Sequence, residues 1–84
     1  MKELNWQNYI TSTQGVVCGK PAIKGTRIAV DLILDKLSFG DTIDDLLEAY
    51  PHITREAILA CLAFASESVT KERLKALEQI EVIA

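Results

Sequence analysis

Residues 57 to 65, AILACLAFA, are nine apolar residues in a row within a chain of 84. Thr54 is a good helix N-cap shortly before them, and Ile53 can pack on Ile58 as a hydrophobic staple. The sequence therefore predicts a helix from Arg55 to about Val69. Because a helix that is apolar on every side has to be covered on every side, this helix should be the central one of the domain.

The predicted central helix has two apolar sides that need different neighbours. One side is expected to pack on its own chain through Ile58, Cys61, Leu62 and Ala65. The other side is expected to face a second surface and consists of Leu59, Ala60, Ala63 and Phe64. The tail carries three apolar residues at three-residue steps, Leu74, Leu77 and Ile80. They predict a C-terminal helix that could cover the second side, either within the chain or on a partner.

A shorter helix is predicted directly before the central one. Its apolar residues follow the i, i+3, i+4, i+7 spacing of a helix and are Ile43, Leu46, Leu47 and Tyr50. Thr42 should cap this helix, and Asp44 and Asp45 lie where the helix dipole favours negative charge. Pro51 should end it, because a proline disfavours helical angles at the residue before it. Residues 42 to 68 therefore predict a helix, a tight turn and a second helix.

The same spacing occurs once more upstream, between Ile28 and Leu37. Its apolar stripe consists of Val30, Ile33, Leu34 and Leu37. Gly40 is the expected left-handed residue after the end of this helix. Three helices therefore follow one another through short loops.

The N-terminal part is polar apart from a few residues and predicts little regular structure. Residues 1 to 9 form a lead-in segment that becomes ordered only if its aromatic residues, Trp6 and Tyr9, dock on the domain. Residues 9 to 13 and 16 to 18 are short β-compatible runs around Gln14 and Gly15, which predict a β-hairpin. Because an isolated hairpin is marginal in water, these strands could also pair with a second copy of the chain.

A structured loop, GKPAIKGTRI, occupies residues 19 to 28. Lys20, Lys24 and Arg27 are close in sequence, and the two glycines would let backbone amides approach an anion or a DNA phosphate. In the alternative interpretation, Gly19 and Gly25 supply turn conformations and the basic side chains are simply solvated. The loop is not a nucleotide-binding P-loop, because its order of residues is reversed from GxxxxGK[ST].

Length and composition indicate a single soluble domain. Half the residues are apolar and a quarter are charged, and 84 residues bury only about 60% of the unfolded surface, so a partner chain would help stability. The sequence has no membrane-spanning run and no signal peptide, and we expect a cytoplasmic protein. Cys18 and Cys61 lack the spacing of a disulfide or zinc framework and should be reduced thiols.

The charge of the chain is unevenly distributed, although the net charge is only −3. Residues 1 to 30 are basic, with Lys2, Lys20, Lys24 and Arg27 against Glu3 alone. Residues 31 to 50 carry six acids against Lys36 and are therefore strongly acidic. The two regions should have opposite electrostatic potentials.

The segments GKPAIKGTRIAVDLILDKL and TIDDLLEAYPHITREAILACLAFA together resemble a prokaryotic family known as domain of unknown function 433. The family pattern is a GKP-hydrophobic-x-GTRI-P-V loop, a helix, and a helix-turn-helix with a DYPHLT-like turn. The resemblance implies a mainly α, trihelical, homeodomain-like fold. Members are often encoded beside PIN-like ribonuclease toxins, which implies a type II antitoxin. One departure is Ala29, where the family usually has proline at the first helical position.

We therefore expect one domain with three parts. Residues 1–27 form an N-terminal arm or β-hairpin and a structured loop, residues 28–69 the trihelical core, and residues 70–84 a C-terminal helix. No cofactor or metal is expected. An enzyme is disfavoured because His52 is the only histidine and no catalytic motif is present. Acidic pairs such as Asp44 with Asp45, or Asp31 with Asp35, are explained by helix starts and surface positions.

The first functional hypothesis is a homodimeric antitoxin that binds double-stranded DNA and a toxin. Helix-turn-helix proteins contact the major groove with the start of the second helix. The candidate DNA-binding residues are Lys20, Lys24, Arg27, His52, Thr54 and Arg55. However, the apolar run after Glu56 cannot hydrogen-bond base edges, and the acidic helix before the turn would repel DNA.

The second hypothesis is a protein-interaction module on the same fold that dimerises and binds no DNA. Contiguous apolar surface on a soluble domain usually marks an interface. The candidate interface residues are Trp6, Tyr9, Leu59, Ala63, Phe64, Leu74 and Leu77. For any one of them, a place in the core of the chain is the simpler explanation.

Overall fold

The computed structural model describes residues 4–12 and 17–83, apart from the side chains of Cys18 and of residues 78–83. A short 3₁₀ turn, Trp6–Asn8, leads into strand β1, Ile10–Thr11, and a second 3₁₀ turn, Val17–Gly19, leads into strand β2, Ala22–Ile23. Three helices follow, which are α1 (Val30–Ser38), α2 (Ile43–Ala49) and α3 (Arg55–Ile83). The predicted fold class, mainly α with a short N-terminal β-hairpin, is confirmed.

The β-hairpin, however, uses a different second strand from the predicted one. Strand β1 pairs antiparallel with β2, so that Ile10 lies opposite Ile23 and Thr11 opposite Ala22. The predicted partner at residues 16 to 18 is wrong, because Val17–Gly19 is a 3₁₀ turn. The predicted turn at Gln14 and Gly15 lies outside the described residues. The pairing brings apolar residues of β1 and β2 into the core, since Ile10, Ala22 and Ile23 are all buried.

Helix α1 begins one residue later than the family pattern implies. Ala29 has extended angles, φ −71° and ψ 146°, and is the N-cap rather than the first helical residue. It bridges to Ala22, and the hydrogen bonds of this bridge are made by its neighbours, from Val30 N to Pro21 O and from Ile23 N to Ile28 O. At the other end, Gly40 has the predicted positive φ, 103°. Its amide and that of Asp41 donate back into the last turn of the helix, which is a Schellman ending.

The predicted caps of α2 and α3 are both present. Asp45 N donates to the Thr42 hydroxyl at 3.0 Å, and Thr42 N donates to the Asp45 carboxylate at 2.9 Å, which completes a capping box. The Thr42 backbone N–H, followed by the Thr42 hydroxyl, acts on the Asp45 carboxylate and lowers the pKa of Asp45. Helix α2 ends at Ala49, before Tyr50 and Pro51, as predicted. The Thr54 hydroxyl then accepts a bond from Ala57 N at 3.1 Å and caps α3.

The core is a single apolar cluster centred on α3. Its largest fully buried side chains are Ile33, Leu46, Ile58 and Cys61. Ile53 belongs to the same cluster as Ile58, as a hydrophobic staple requires. The helices, strand β1 and the first 3₁₀ turn all contact α3, so the domain is assembled around the helix that the apolar run predicts.

Helix α3 is one continuous helix of 29 residues, which is about 43 Å long. The tail is helical, as predicted, but it extends α3 in a straight line and does not fold back over the chain. Residues 68 to 77 are all exposed, so α3 leaves the core near Glu67. Three expected positions in the apolar run are wrong. Ala60 is fully buried and Phe64 packs against the core cluster, instead of facing outwards. Leu62 is 42% exposed instead of packing on the chain.

Substituting proline for Ala29 should stabilise the protein. The φ of Ala29 already suits proline, and the bridge beside it does not use the Ala29 N–H. We expect Ala29→Pro to raise the free energy of unfolding in urea by about 0.4–1 kcal/mol, because the unfolded chain loses freedom. Ala29→Gly should lower the free energy of unfolding, because glycine gives the unfolded chain more freedom. A decrease for Ala29→Pro would show that the buried pocket cannot accept the ring.

Candidate functional site

The outer face of α3 carries four of the seven exposed large apolar side chains in the described part of the chain. We define it as the side turned away from the core, with the apolar residues Leu59, Leu62, Ala63, Val69 and Leu77 and the polar residues Ser66, Thr70 and Arg73. At 3.6 residues per turn these positions fall within about one third of the helix circumference. Leu74 borders the face and is 55% exposed.

The two sides of α3 differ sharply in burial although both are apolar. Ala57, Ile58, Ala60 and Cys61 point into the core and are at most 3% exposed. On the opposite side, Leu59 is 39% exposed, Val69 is 67% exposed and Leu77 is 47% exposed. A single copy of the described chain therefore leaves the outer face uncovered. Among the predicted interface residues, this face holds Leu59, Ala63 and Leu77, with Leu74 at its border.

Three other predicted interface residues take part in contacts within the chain. The rings of Trp6 and Phe64 meet edge to face, with their centroids 4.9 Å apart. The Trp6 indole N–H donates to the Glu67 carboxylate at 2.6 Å. This bond, and the nearby Lys71 ammonium, lower the pKa of Glu67. Tyr9 is half-buried against the core cluster, so the expected docking of the N-terminal aromatics occurs.

The basic loop contains a tight turn, residues 24 to 27, that follows strand β2. The Thr26 hydroxyl donates to Ile23 O at 2.8 Å and accepts from Ile28 N at 3.0 Å, which holds the two ends of the turn together. Gly25 takes a positive φ of 76° within it. The two cations of the turn, Lys24 and Arg27, are exposed and make no ion pair within residues 4–12 and 17–83. The backbone that carries them is therefore held in place by hydrogen bonds, and their side chains remain available to an anion.

Lys20 lies elsewhere in the loop and is already paired. Its ammonium is 3.5 Å from the Asp31 carboxylate in the first turn of α1, in an exposed ion pair. Lys20, Pro21 and Phe64 line one side of a cavity of about 270 Å³. Phe64 lies ten residues beyond Thr54, about 15 Å further along α3. Lys20 is thus far from the start of the helix that would enter a DNA groove.

The turn between α2 and α3 and the start of α3 carry the remaining predicted DNA-binding residues. His52 is exposed in the turn. The Thr54 hydroxyl is occupied by its capping bond, and the Arg55 guanidinium is 2.9 Å from the Asp44 carboxylate of α2. Asp45 and Glu48 also lie on α2, and Glu56 follows Arg55, so the potential here is acidic. Two of the predicted cations, Lys20 and Arg55, are therefore already paired with carboxylates of the chain.

Other kinds of site find little support in the described part of the chain. Cys61 is a free and buried thiol, and burial raises its pKa to about 11. No group of three or more His, Cys, Asp or Glu side chains that could hold a metal ion occurs within residues 4–12 and 17–83. In the same residues, no helix is long and apolar enough to cross a membrane.

A second and smaller apolar patch lies on α1. Phe39, just after the helix, is 83% exposed, and Leu32 on the same side of α1 is 40% exposed. This patch belongs to a different helix from the outer face of α3. Leu32 therefore provides a matched control for Leu62, since the two leucines are equally exposed.

The sequence pattern of the family described as "Protein of unknown function (DUF433)" matches residues 10–65. The chain belongs to the DUF433 family. The matched region runs from strand β1 to the point in α3 where the buried part of the helix ends. The family pattern therefore covers the compact core of the chain and excludes the exposed half of α3.

A solved structure supports the same assignment. The chain is similar to a crystal structure of a DUF433 member protein from Anabaena variabilis ATCC 29413 at 2.00 Å resolution, with 29% sequence identity and a TM-score of 0.71. The similarity covers 82% of this chain and 68% of that chain. A comparison with curated proteins found no match.

The contact between Trp6 and Glu67 predicts a pH-dependent signal from the only tryptophan. Because the pKa of Glu67 is lowered in the folded protein, its ionised carboxylate stabilises the fold at pH values above the ordinary pKa of 4.5. This stabilisation is lost as the pH falls through the lowered pKa. We expect Trp6 fluorescence to change with a midpoint below 4.5. Glu67→Gln should abolish this change, whereas Glu72→Gln should leave it intact. A midpoint unaffected by Glu67→Gln would assign the signal to another group.

Proposed function

We propose that this DUF433 member is a self-associating protein-interaction module in which the outer face of α3 packs against a second copy of the chain. The observation that carries the proposal is the position of Leu59, Leu62, Val69 and Leu77 on one exposed side of a single helix. From Leu59 to Leu77 this apolar face is about 27 Å long. Exposed apolar surface of this extent is typical of interfaces.

The exposed half of α3 supports the same proposal through helix stability. Residues 68 to 83 extend beyond the core, and most helical stability in proteins comes from packing of an apolar face against other elements. Val69 and Thr70 are β-branched and weaken helix formation further. The Glu67 to Lys71 ion pair, at 3.5 Å and exposed, adds only a few tenths of a kcal/mol. Burial of the apolar residues against a partner would supply the missing stabilisation.

Within this proposal the dimer acts as an antitoxin in the cytoplasm and catalyses no reaction. The resemblance of the GKPAIKGTRI and YPHIT segments to the family implies a PIN-like toxin as the further partner. Family membership and the helix-turn-helix arrangement of α2 and α3 support this role. The buried free thiol of Cys61 fits a reducing compartment.

Sedimentation equilibrium at micromolar concentration should give twice the monomer mass of 9.3 kDa. Leu62→Glu should shift the protein to monomer, because it places a charge within the apolar face. Leu32→Glu, at an equally exposed position on α1, should leave the dimer unchanged. Circular dichroism checks that both variants keep the fold. A wild-type monomer at this concentration, or dissociation by Leu32→Glu alone, would contradict the assignment of the interface to α3.

DNA binding is a second candidate function, favoured by one specific observation. The turn at residues 24 to 27 holds Lys24 and Arg27 rigidly, exposed and without ion pairs within the described residues. Such cations suit phosphate contacts. The start of α3 supports sequence recognition less well, since Arg55 is paired with Asp44. An exposed ion pair is worth at most about 1 kcal/mol, so DNA could displace Asp44.

If the chain binds the DNA upstream of its own gene, two sets of variants should act differently. The Lys24→Ala and Arg27→Ala double variant should weaken binding to all sequences alike and reduce the slope of log K against log salt by about 2. Arg55→Ala should instead lower the preference for the upstream sequence. Lys71→Ala, which removes a cation on the exposed part of α3, serves as the control. The absence of binding at about 50 mM salt would reject this candidate.

A further inference from the structure

We propose that the two copies pack antiparallel along the outer faces of α3 and cross between Val69 and Thr70, so that Arg73 of each copy lies opposite Ser66 and beside Glu67 of the other. This inference rests on the dimer proposed above and specifies its geometry. Three features of α3 support it independently, namely its charge, its apolar spacing and its length.

The charge argument starts from Arg73, the cation that lies between the apolar residues Val69 and Leu77 of the outer face. In a parallel pair of helices, equivalent positions face each other across the seam. Arg73 would then lie opposite Arg73 of the other copy, and two like charges in a partly desolvated seam repel. An antiparallel pair instead moves Arg73 towards Ser66 and the carboxylate of Glu67. Glu67 is half-exposed and can accept a further bond beside those from Trp6 and Lys71.

The spacing of the apolar residues suits the same antiparallel register. When the crossing point is between Val69 and Thr70, Leu62 of one copy lies opposite Leu77 of the other, and the two Val69 residues are offset by only about 1.5 Å along the helix axis. Apolar residues therefore meet apolar residues, and the polar residues Ser66 and Arg73 meet each other. A shift by one turn in either direction would place Arg73 opposite Leu62 or Thr70 and lose this pairing.

The length of α3 selects this register too. The helix runs from Arg55 to Ile83, and its midpoint is Val69. A crossing between Val69 and Thr70 lies within one residue of this midpoint, so the two helices overlap over almost their full length of about 43 Å. The exposed half of each α3 then lies along the outer face of the buried half of the other. Each copy thus covers Leu59 and Leu62 of its partner with the part of α3 that lies beyond its own core.

Cysteine cross-linking tests the orientation. All variants carry Cys18→Ser, and Cys61 remains in place because it is fully buried and its thiol is unreactive. Val69→Cys should form a disulfide with itself and run mainly at twice the monomer mass on a non-reducing gel. Leu77→Cys should not, because its two copies would be about 22 Å apart in the antiparallel dimer. A mixture of the Leu62→Cys and Leu77→Cys proteins should form the mixed disulfide.

The outcomes separate this inference from the proposed function. Self-cross-linking of Leu77→Cys in a wild-type-like dimer would show parallel helices, which overturns the antiparallel inference and leaves the dimer intact. A dimer by sedimentation in which no α3 cysteine cross-links would place the interface elsewhere and overturn both. A wild-type protein that sediments as a monomer would also overturn both. Circular dichroism of each variant shows whether α3 has been preserved.

Discussion

Burial of one side of α3 is the constraint on which the rest of the structure depends. Ile58 and Cys61 are completely buried because helices α1 and α2, strand β1 and the first 3₁₀ turn all contact this helix. A chain of this length has little other apolar surface to bury. The caps and the hairpin therefore serve to place these short elements around a single helix. Its outer face remains uncovered because no other element within residues 4–12 and 17–83 packs against it.

Local signals allowed much of the fold to be predicted from the sequence. Thr42, Thr54 and Gly40 act within one turn of the residues they cap, and the bonds they were expected to make are present. The second strand of the hairpin could not be predicted from local signals, because two apolar runs could each pair with β1. Ala22 and Ile23 form this strand, and their side chains are buried in the core. Helix periodicity also could not decide how far α3 continues, because residues 70 to 83 have the same spacing whether they extend the helix or fold back.

The candidate sites were less predictable because they depend on pairs of residues that are far apart in sequence. Trp6 and Glu67 are separated by 61 residues and Arg55 and Asp44 by 11. Neither pair carries a sequence motif, yet the first attaches the N-terminal segment to α3 and the second neutralises the most obvious DNA-contacting arginine. The role of Thr26 was hidden for the opposite reason. Its hydroxyl forms two short-range bonds, but the lysine and arginine beside it in the motif suggested an anion-binding role instead of a structural one.

The family pattern ends at residue 65, where α3 passes from the core into its exposed half. The part that folds the domain and the part that extends from it are thus consecutive segments of one helix. Substitutions in the extension change surface residues of a single copy without creating cavities, so they cost the fold of that copy little stability. In the proposed dimer, a change of seam residues there would alter which copies recognise one another. Related proteins in one cell could therefore keep the same core and still assemble separately.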